Sequence, residues 1–114
     1  MRASGAAVTL AMVVLLMGSG AAHAVVYTIS ITDQRIVPSV ITATLNEKVQ
    51  LRVLNNGTKT HNFILPSFYI FTPNLPAHKG TTVEFVPNKK GAYPYYSDTG
   101  GAPEPGLDGV IRIN

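Results

Sequence analysis

The sequence has no cysteine, no tryptophan and few charged residues. Of its 114 residues, 13% are charged, with nine basic and six acidic side chains, and 46% are hydrophobic. The absence of cysteine excludes disulfide bonds, thiolate metal sites, a lipid-bearing N-terminal cysteine and a cysteine nucleophile. The balance of apolar and charged residues excludes a disordered tail and a polybasic nucleic-acid binder. We therefore expect one small folded domain with no nucleic-acid partner.

The first 24 residues are typical of a secretory signal peptide. Arg2 is followed by an apolar run over 8–17, and Ala22-His23-Ala24 has the small-x-small pattern of a cleavage site. Because the run is short for a bilayer span, a cleaved signal is favoured over an uncleaved anchor, which is the alternative. We predict a signal peptide at 1–24 and a domain at 25–114 that is periplasmic or secreted, monomeric and without a membrane anchor after cleavage.

Removing this leader removes most of the residues that could bind a soft metal. All three methionines, Met1, Met12 and Met17, belong to the leader. The domain at 25–114 then has 90 residues, no sulfur-containing side chain and two histidines, His61 and His78. Loss of Arg2 leaves eight basic against six acidic residues, an excess too small to identify a partner.

The rest of the chain has the alternating pattern of short strands and no helical periodicity. Strands are predicted, from alternation and β-branched content, at 25–32, 40–45, 49–54, 61–65, 81–86, 92–96 and 110–113. The segment Asn55-Asn56-Gly57-Thr58 predicts a turn that uses positive φ angles, and 66–76 predicts a long aromatic loop. Seven short strands with turn signals between them predict an all-β fold, a Greek-key β-sandwich.

Several local motifs carry a family resemblance. They are Asn55-Asn56-Gly57 followed by His61-Asn62-Phe63, the 81–85 strand before the 87–96 segment, and 107–111. The chain resembles the cupredoxins, the plastocyanin- and azurin-like small blue copper proteins. The resemblance implies that His61 stands at the first copper-ligand position, and that the loop after 96 is the copper loop.

The remaining ligand positions of that family are degenerate in this chain. Counting along the copper loop, the family's Cys, His and Met positions hold Ser97, Ala102 and Leu107. A blue copper site needs a thiolate and two imidazoles around the metal. A serine hydroxyl is a poor ligand, and alanine and leucine offer no lone pair. We therefore expect no blue copper centre, and a copper electron carrier is the least favoured function.

A weaker metal site of nitrogen and oxygen ligands is the first functional hypothesis. The resemblance implies that His61, His78, Asp98 and Glu104 lie at one end of the sandwich, where they could bind a copper, zinc or iron ion. Each residue also has a simpler interpretation. His61 would be a hydrogen-bonded interior histidine, His78 an exposed turn residue, Asp98 a turn former and Glu104 a solvated loop residue.

The second hypothesis is a metal-free module that binds another periplasmic or extracellular protein. Its surface would be the loop end, with the apolar segment 102–107, together with Phe68, Tyr69 and Phe71 if these are exposed. Burial of the aromatic residues in the core is the alternative. A third class, a hydrolase with a Ser97–His61 pair, has no supporting motif, so we expect that the protein is not an enzyme.

Overall fold

The computed structural model describes residues 23–114, and most of the predicted signal peptide lies outside this part of the chain. Residues 23–114 form strands and one short 3-10 turn, which confirms the all-β fold class. The elements are β1 (Val25–Ile31), β2 (Ile36–Val37), β3 (Val40–Ala43), β4 (Val49–Asn55), β5 (Ile64–Leu65), the 3-10 turn (Pro66–Phe68), β6 (Ile70–Phe71), β7 (Gly80–Phe85), β8 (Gly91–Tyr96) and β9 (Asp108–Ile113). Between residues 23 and 114, no helix has the length and apolar character needed to cross a membrane.

The strands form two mixed sheets that enclose one core. The first sheet has the order β2-β1-β4-β7, and the second has the order β3-β9-β8-β5-β6. Strand β1 runs parallel to β4, and β9 runs parallel to β3, whereas the other pairs are antiparallel. Alternate side chains point between the sheets, so that Ile29, Ile31, Leu51, Val53 and Ile111 are fully buried.

The structure corrects two of the sequence predictions in the middle of the chain. The strand predicted at 61–65 is reduced to Ile64–Leu65, preceded by a single bridge between His61 and Leu75. Part of the loop predicted at 66–76 is in fact the 3-10 turn and strand β6. These short elements depend on pairing with distant strands, which local sequence patterns do not contain.

The turn after β4 also forms by a different mechanism from the one predicted. No residue from Asn55 to Thr58 has a positive φ angle. Instead, the Asn55 side chain is completely buried and organises the loop through three hydrogen bonds. Its oxygen accepts from the Gly57 amide at 2.9 Å, and its nitrogen donates to the carbonyl oxygens of Lys59 and Leu75 at 2.8 Å each.

The strand pairing collects four loops at one end of the sandwich. Strand β1 ends at Ile31, which pairs with Asn55 at the end of β4, and β7 begins beside that same end of β4. In the other sheet, Tyr96 at the end of β8 pairs with Ile64 at the start of β5. The segments 32–35, 56–63, 72–79 and 97–107 therefore share one end, called here the loop end.

Candidate functional site

His61 lies between two carboxylates at the loop end. Its side chain is almost fully buried, and its backbone is held by two hydrogen bonds to Leu75. The ring atom Nε2 lies 2.9 Å from Oδ1 of Asp33, and Nδ1 lies 3.1 Å from Oε1 of Glu104. Because the two ring nitrogens point in different directions, the two carboxylates approach His61 from different sides.

Asp33 reaches His61 from the loop that follows β1. Its carboxylate also accepts hydrogen bonds from the backbone amides of Thr58 and Lys59, at 3.1 Å each, and from the Thr58 hydroxyl at 2.5 Å. Gly57 permits this approach, because a Cβ atom at that position would overlap the Asp33 carboxylate. The Thr58 hydroxyl, then His61, and then the Lys59 and Thr58 amides hold the pKa of Asp33 well below its usual range.

Glu104 reaches His61 from the opposite side, within the loop between β8 and β9. While Oε1 faces His61, Oε2 accepts hydrogen bonds from the Ser97 hydroxyl at 3.1 Å, from the Thr99 amide at 3.2 Å and from the Thr99 hydroxyl. Burial alone would raise the pKa of Glu104, but the hydrogen bonds from Thr99 and Ser97 and the charge of His61 outweigh burial and lower it.

The protonation pattern of this group follows from the chemistry of its members. Because both carboxylates have lowered pKa values, neither holds a proton to donate at neutral pH. A neutral imidazole has one N–H, whereas an imidazolium has two. Only the imidazolium can donate to Asp33 and Glu104 at once. We call Asp33, His61 and Glu104 the His61 cluster; it links three loops by charge-assisted hydrogen bonds.

Backbone hydrogen bonds close the loop that carries Glu104. The Ser97 amide donates to the Leu107 carbonyl at 3.1 Å, and the Glu104 amide donates to the Ser97 carbonyl at 2.8 Å. The Leu107 amide donates in turn to the Glu104 carbonyl at 3.1 Å. These bonds fix the position of Glu104 relative to the ends of β8 and β9.

Comparison with known proteins identifies the fold family. The family model described as a cupredoxin-like domain matches residues 5–106. The chain belongs to the cupredoxin-like domain family. Comparison with curated sequences gives no match.

Solved cupredoxin structures share the fold at low sequence identity. Auracyanin A, a "blue" copper protein from Chloroflexus aurantiacus, is 18% identical, with a TM-score of 0.68 over 81% of this chain and 100% of that one. The reduced auracyanin of Roseiflexus castenholzii is 13% identical, with a TM-score of 0.66 over 81% and 99%. An oxidized mutant of amicyanin is 13% identical, with a TM-score of 0.57 over 76% and 80%. At these identities, the likeness establishes the fold alone.

The residues at the cupredoxin ligand positions do not fit a type 1 copper ion. Ser97 is completely buried and donates to Glu104, Ala102 is exposed, and Leu107 is buried in the hydrophobic core. At the fourth position, both ring nitrogens of His61 already face carboxylates. The donor set therefore contains no thiolate and no second imidazole, which a blue copper site requires.

The structure does not bring the four predicted metal ligands together. Glu104 contacts His61, but Asp98 is engaged by Asn62, whose amide nitrogen donates to its carboxylate at 3.0 Å. His78 is exposed, and its backbone amide donates to the Asn55 carbonyl at 2.8 Å. Within residues 23–114, no three His, Cys, Asp or Glu side chains are arranged to hold a metal ion. The nitrogen and oxygen metal site stays a prediction.

The structure agrees with the simpler interpretations of His61 and His78 but not with that of Glu104. His61 is a hydrogen-bonded interior histidine, and His78 is an exposed turn residue, as those interpretations predicted. The interpretation of Glu104 as a solvated loop residue is wrong, because four hydrogen-bonding groups surround its carboxylate. The Asp98 side chain binds Asn62, while its backbone carbonyl accepts from the Gly101 amide and closes the turn.

Ser97 and His61 do not form a nucleophile and base pair. Glu104 lies between them, since its Oε1 faces the His61 ring and its Oε2 faces the Ser97 hydroxyl. The Ser97 oxygen also accepts a hydrogen bond from the Asn62 amide at 3.1 Å, and Ser97 is inaccessible to solvent. This arrangement gives no support to the hydrolytic alternative.

A separate surface exposes aromatic side chains along the edge strand β6. Tyr69 is 87% exposed and Phe71 is 61% exposed, whereas Phe68 is partly buried against Phe85 and Tyr93. Tyr69 also has a left-handed backbone conformation, with φ of 57° and ψ of 38°. We call Tyr69 and Phe71 the edge aromatic pair. The predicted apolar surface over 102–107 is reduced, because Leu107 belongs to the core.

Proposed function

We propose that this protein is an exported, cupredoxin-like binding module that works without a type 1 copper centre. Its partner is another exported protein, which contacts the edge aromatic pair. The observation that carries this proposal is the near-complete exposure of Tyr69 in a strained backbone conformation. Export is proposed from the signal-like leader at 1–24.

Tyr69 is costly to the folded chain and contributes little packing. A bulky residue in the left-handed backbone conformation destabilises the folded state by roughly 1 kcal/mol. Glycine and asparagine tolerate this conformation better. Because 87% of Tyr69 faces solvent, burial of the ring offsets little of that cost. Tyrosine and phenylalanine in exposed positions are typical anchors of protein interfaces. A binding role explains why an aromatic ring occupies this position.

The His61 cluster supports the same proposal, because its geometry argues against metal binding at His61. Both ring nitrogens of His61 are engaged within the chain, so the cluster has a structural role in joining the loops. A metal ion bound at His61 would have to displace Asp33 or Glu104 from a ring nitrogen. The nitrogen and oxygen metal site is therefore the weaker proposal of the two.

Site-specific photo-cross-linking in the native host tests the partner proposal. p-Benzoylphenylalanine is placed at position 69, and, as a matched control, at the exposed position of Thr82 in β7. We expect a discrete cross-linked product from position 69 and none from position 82. Equal products from both positions, or none from position 69, would contradict the proposed interface.

A further inference from the structure

A surface pocket adjoins the edge aromatic pair. Its volume is about 360 Å³, near the lower end of the range of roughly 300–1,000 Å³ for ligand sites. Phe68, Tyr69, Phe85 and Val86 line it, so that most of its side chains are apolar or aromatic. A pocket of this size and lining accommodates one large aromatic side chain of a partner.

The pocket carries one charge. Ser67, Asn88 and Lys89 supply its polar lining, and Lys89 is the charged residue among them. The Lys89 ammonium lies 5.7 Å from the centre of the Phe68 ring and 5.4 Å from that of Tyr93. The two rings hold this cation by cation–π attraction at the side of the pocket.

The Lys89 charge has no carboxylate partner among residues 23–114. The salt bridges of this part of the chain are those of His61 and one between Lys48 and Glu84, at 3.7 Å. Glu84 also accepts a hydrogen bond from Gln50, so the acidic residue next to Phe85 is already engaged. The pocket therefore combines aromatic walls with an uncompensated positive charge, which favours an anionic group on the occupant.

We propose that the pocket binds a partner segment in which an aromatic side chain stands next to an acidic residue. The aromatic ring packs against the outer surfaces of Phe68, Tyr69 and Phe85 that line the pocket, and the adjacent carboxylate pairs with Lys89. This inference rests on the proposed function and specifies the chemistry of the protein partner. Lys90, the next residue, is not part of the pocket lining, and it provides a matched control of equal charge.

The absence of tryptophan from this chain makes a direct assay available. The peptide Ac-Asp-Trp-Asp-NH2 carries the only indole in the mixture, so its fluorescence and anisotropy report binding without interference. We expect binding with a blue-shifted emission, and about tenfold weaker binding of the charge-inverted peptide Ac-Lys-Trp-Lys-NH2. Lys89→Gln should weaken binding of the acidic peptide about fivefold or more, whereas Lys90→Gln changes it less than about twofold.

The outcomes separate this inference from the proposed function. Equal affinity for the two peptides, or equal effects of Lys89→Gln and Lys90→Gln, overturns the acidic–aromatic specificity. No binding of either peptide together with a cross-link at position 69 overturns this inference and leaves the proposed function in place. No binding of either peptide and no cross-link overturns both. The backbone conformation at position 69 suits asparagine, so the Tyr69→Asn variant should fold. This variant should abolish the emission shift of the peptide.

Discussion

Replacing Glu104 with glutamine tests the structural role of the His61 cluster. The substitution keeps the size of the side chain but removes its charge. The glutamine NH₂ group must also face hydrogen-bond donors, from which it cannot accept. These donors are either the His61 N–H or the Ser97 hydroxyl, the Thr99 hydroxyl and the Thr99 amide. Hydrogen bonds to charged groups contribute about 1.5–3 kcal/mol each, and a buried group left unpaired adds a further cost.

Solvent access to Glu104 reduces the loss of stability expected from the substitution. The Glu104 side chain is 24% exposed, so water replaces part of the lost interaction. We expect Glu104→Gln to lower the free energy of unfolding by about 2 kcal/mol, which shifts the urea midpoint down by about 1 M. Circular dichroism during urea denaturation measures the change. Glu47→Gln, an exposed carboxylate in a turn, is the matched control and should change the free energy by less than about 0.5 kcal/mol.

The pH dependence of the same variant gives an independent check. Because the folded state lowers the pKa of Glu104 below its ordinary value of 4.5, its carboxylate stabilises the fold above that pH. This stabilisation is lost as the pH falls through the lowered pKa, so the difference between wild type and Glu104→Gln should shrink on acidification. Equal stability of Glu104→Gln and Glu47→Gln at neutral pH, or a difference that grows at acid pH, would refute the reasoning.

Four further predictions concern the core and metal binding. Gly109→Ala should cost about 1–3 kcal/mol in urea denaturation, because a Cβ atom there would overlap the Tyr95 ring. Burial, and then the charge of Asp108, raise the pKa of Tyr95 to about 12. Because the unfolded chain ionises this tyrosine near pH 10, the free energy of unfolding should fall as the pH rises above about 10. The Tyr95→Phe variant should lose this pH dependence. Cu(II) should produce no intense blue absorption. Calorimetry with Cu(II), Zn(II) and Fe(III) should show wild-type binding no tighter than that of a His61→Ala, His78→Ala double variant; tighter wild-type binding would favour the metal proposal.

Sequence patterns predict the long strands well and the short ones poorly. Alternation is sufficient for β1 and β4, whose observed bounds differ from the predicted ones by a single residue. The two-residue strands β2 and β6 were missed, because each exists only through pairing with β1 or β5. A pattern of two residues contains no periodicity to recognise.

The site was predicted only in part, for a comparable reason. The family resemblance indicated His61 and the degenerate ligand position of Ser97, and the structure puts both at the loop end. Asp33 was missed, because 28 residues separate it from His61 and only the parallel pairing of β1 with β4 brings their loops together. The available signal was its position directly after the first strand.

The side-chain exposures at the edge strand could not be read from composition. The sequence shows three aromatic residues here, Phe68, Tyr69 and Phe71, and does not distinguish them by residue class. In the structure, Phe68 packs against Phe85, whereas Tyr69 and Phe71 face solvent. The left-handed conformation of Tyr69, at the end of the 3-10 turn, directs its side chain away from the core. Such local geometry follows from the tertiary fold and not from residue type.

The most direct test of the central claim is the photo-cross-linking yield at position 71 in a Tyr69→Asn variant. Asparagine suits the left-handed conformation, so the variant should be at least as stable as the wild type and should keep the His61 cluster intact. We predict that the cross-link to the partner is lost while the free energy of unfolding is unchanged or higher. An undiminished cross-link in this variant would contradict the claim that the protein acts through the edge aromatic pair.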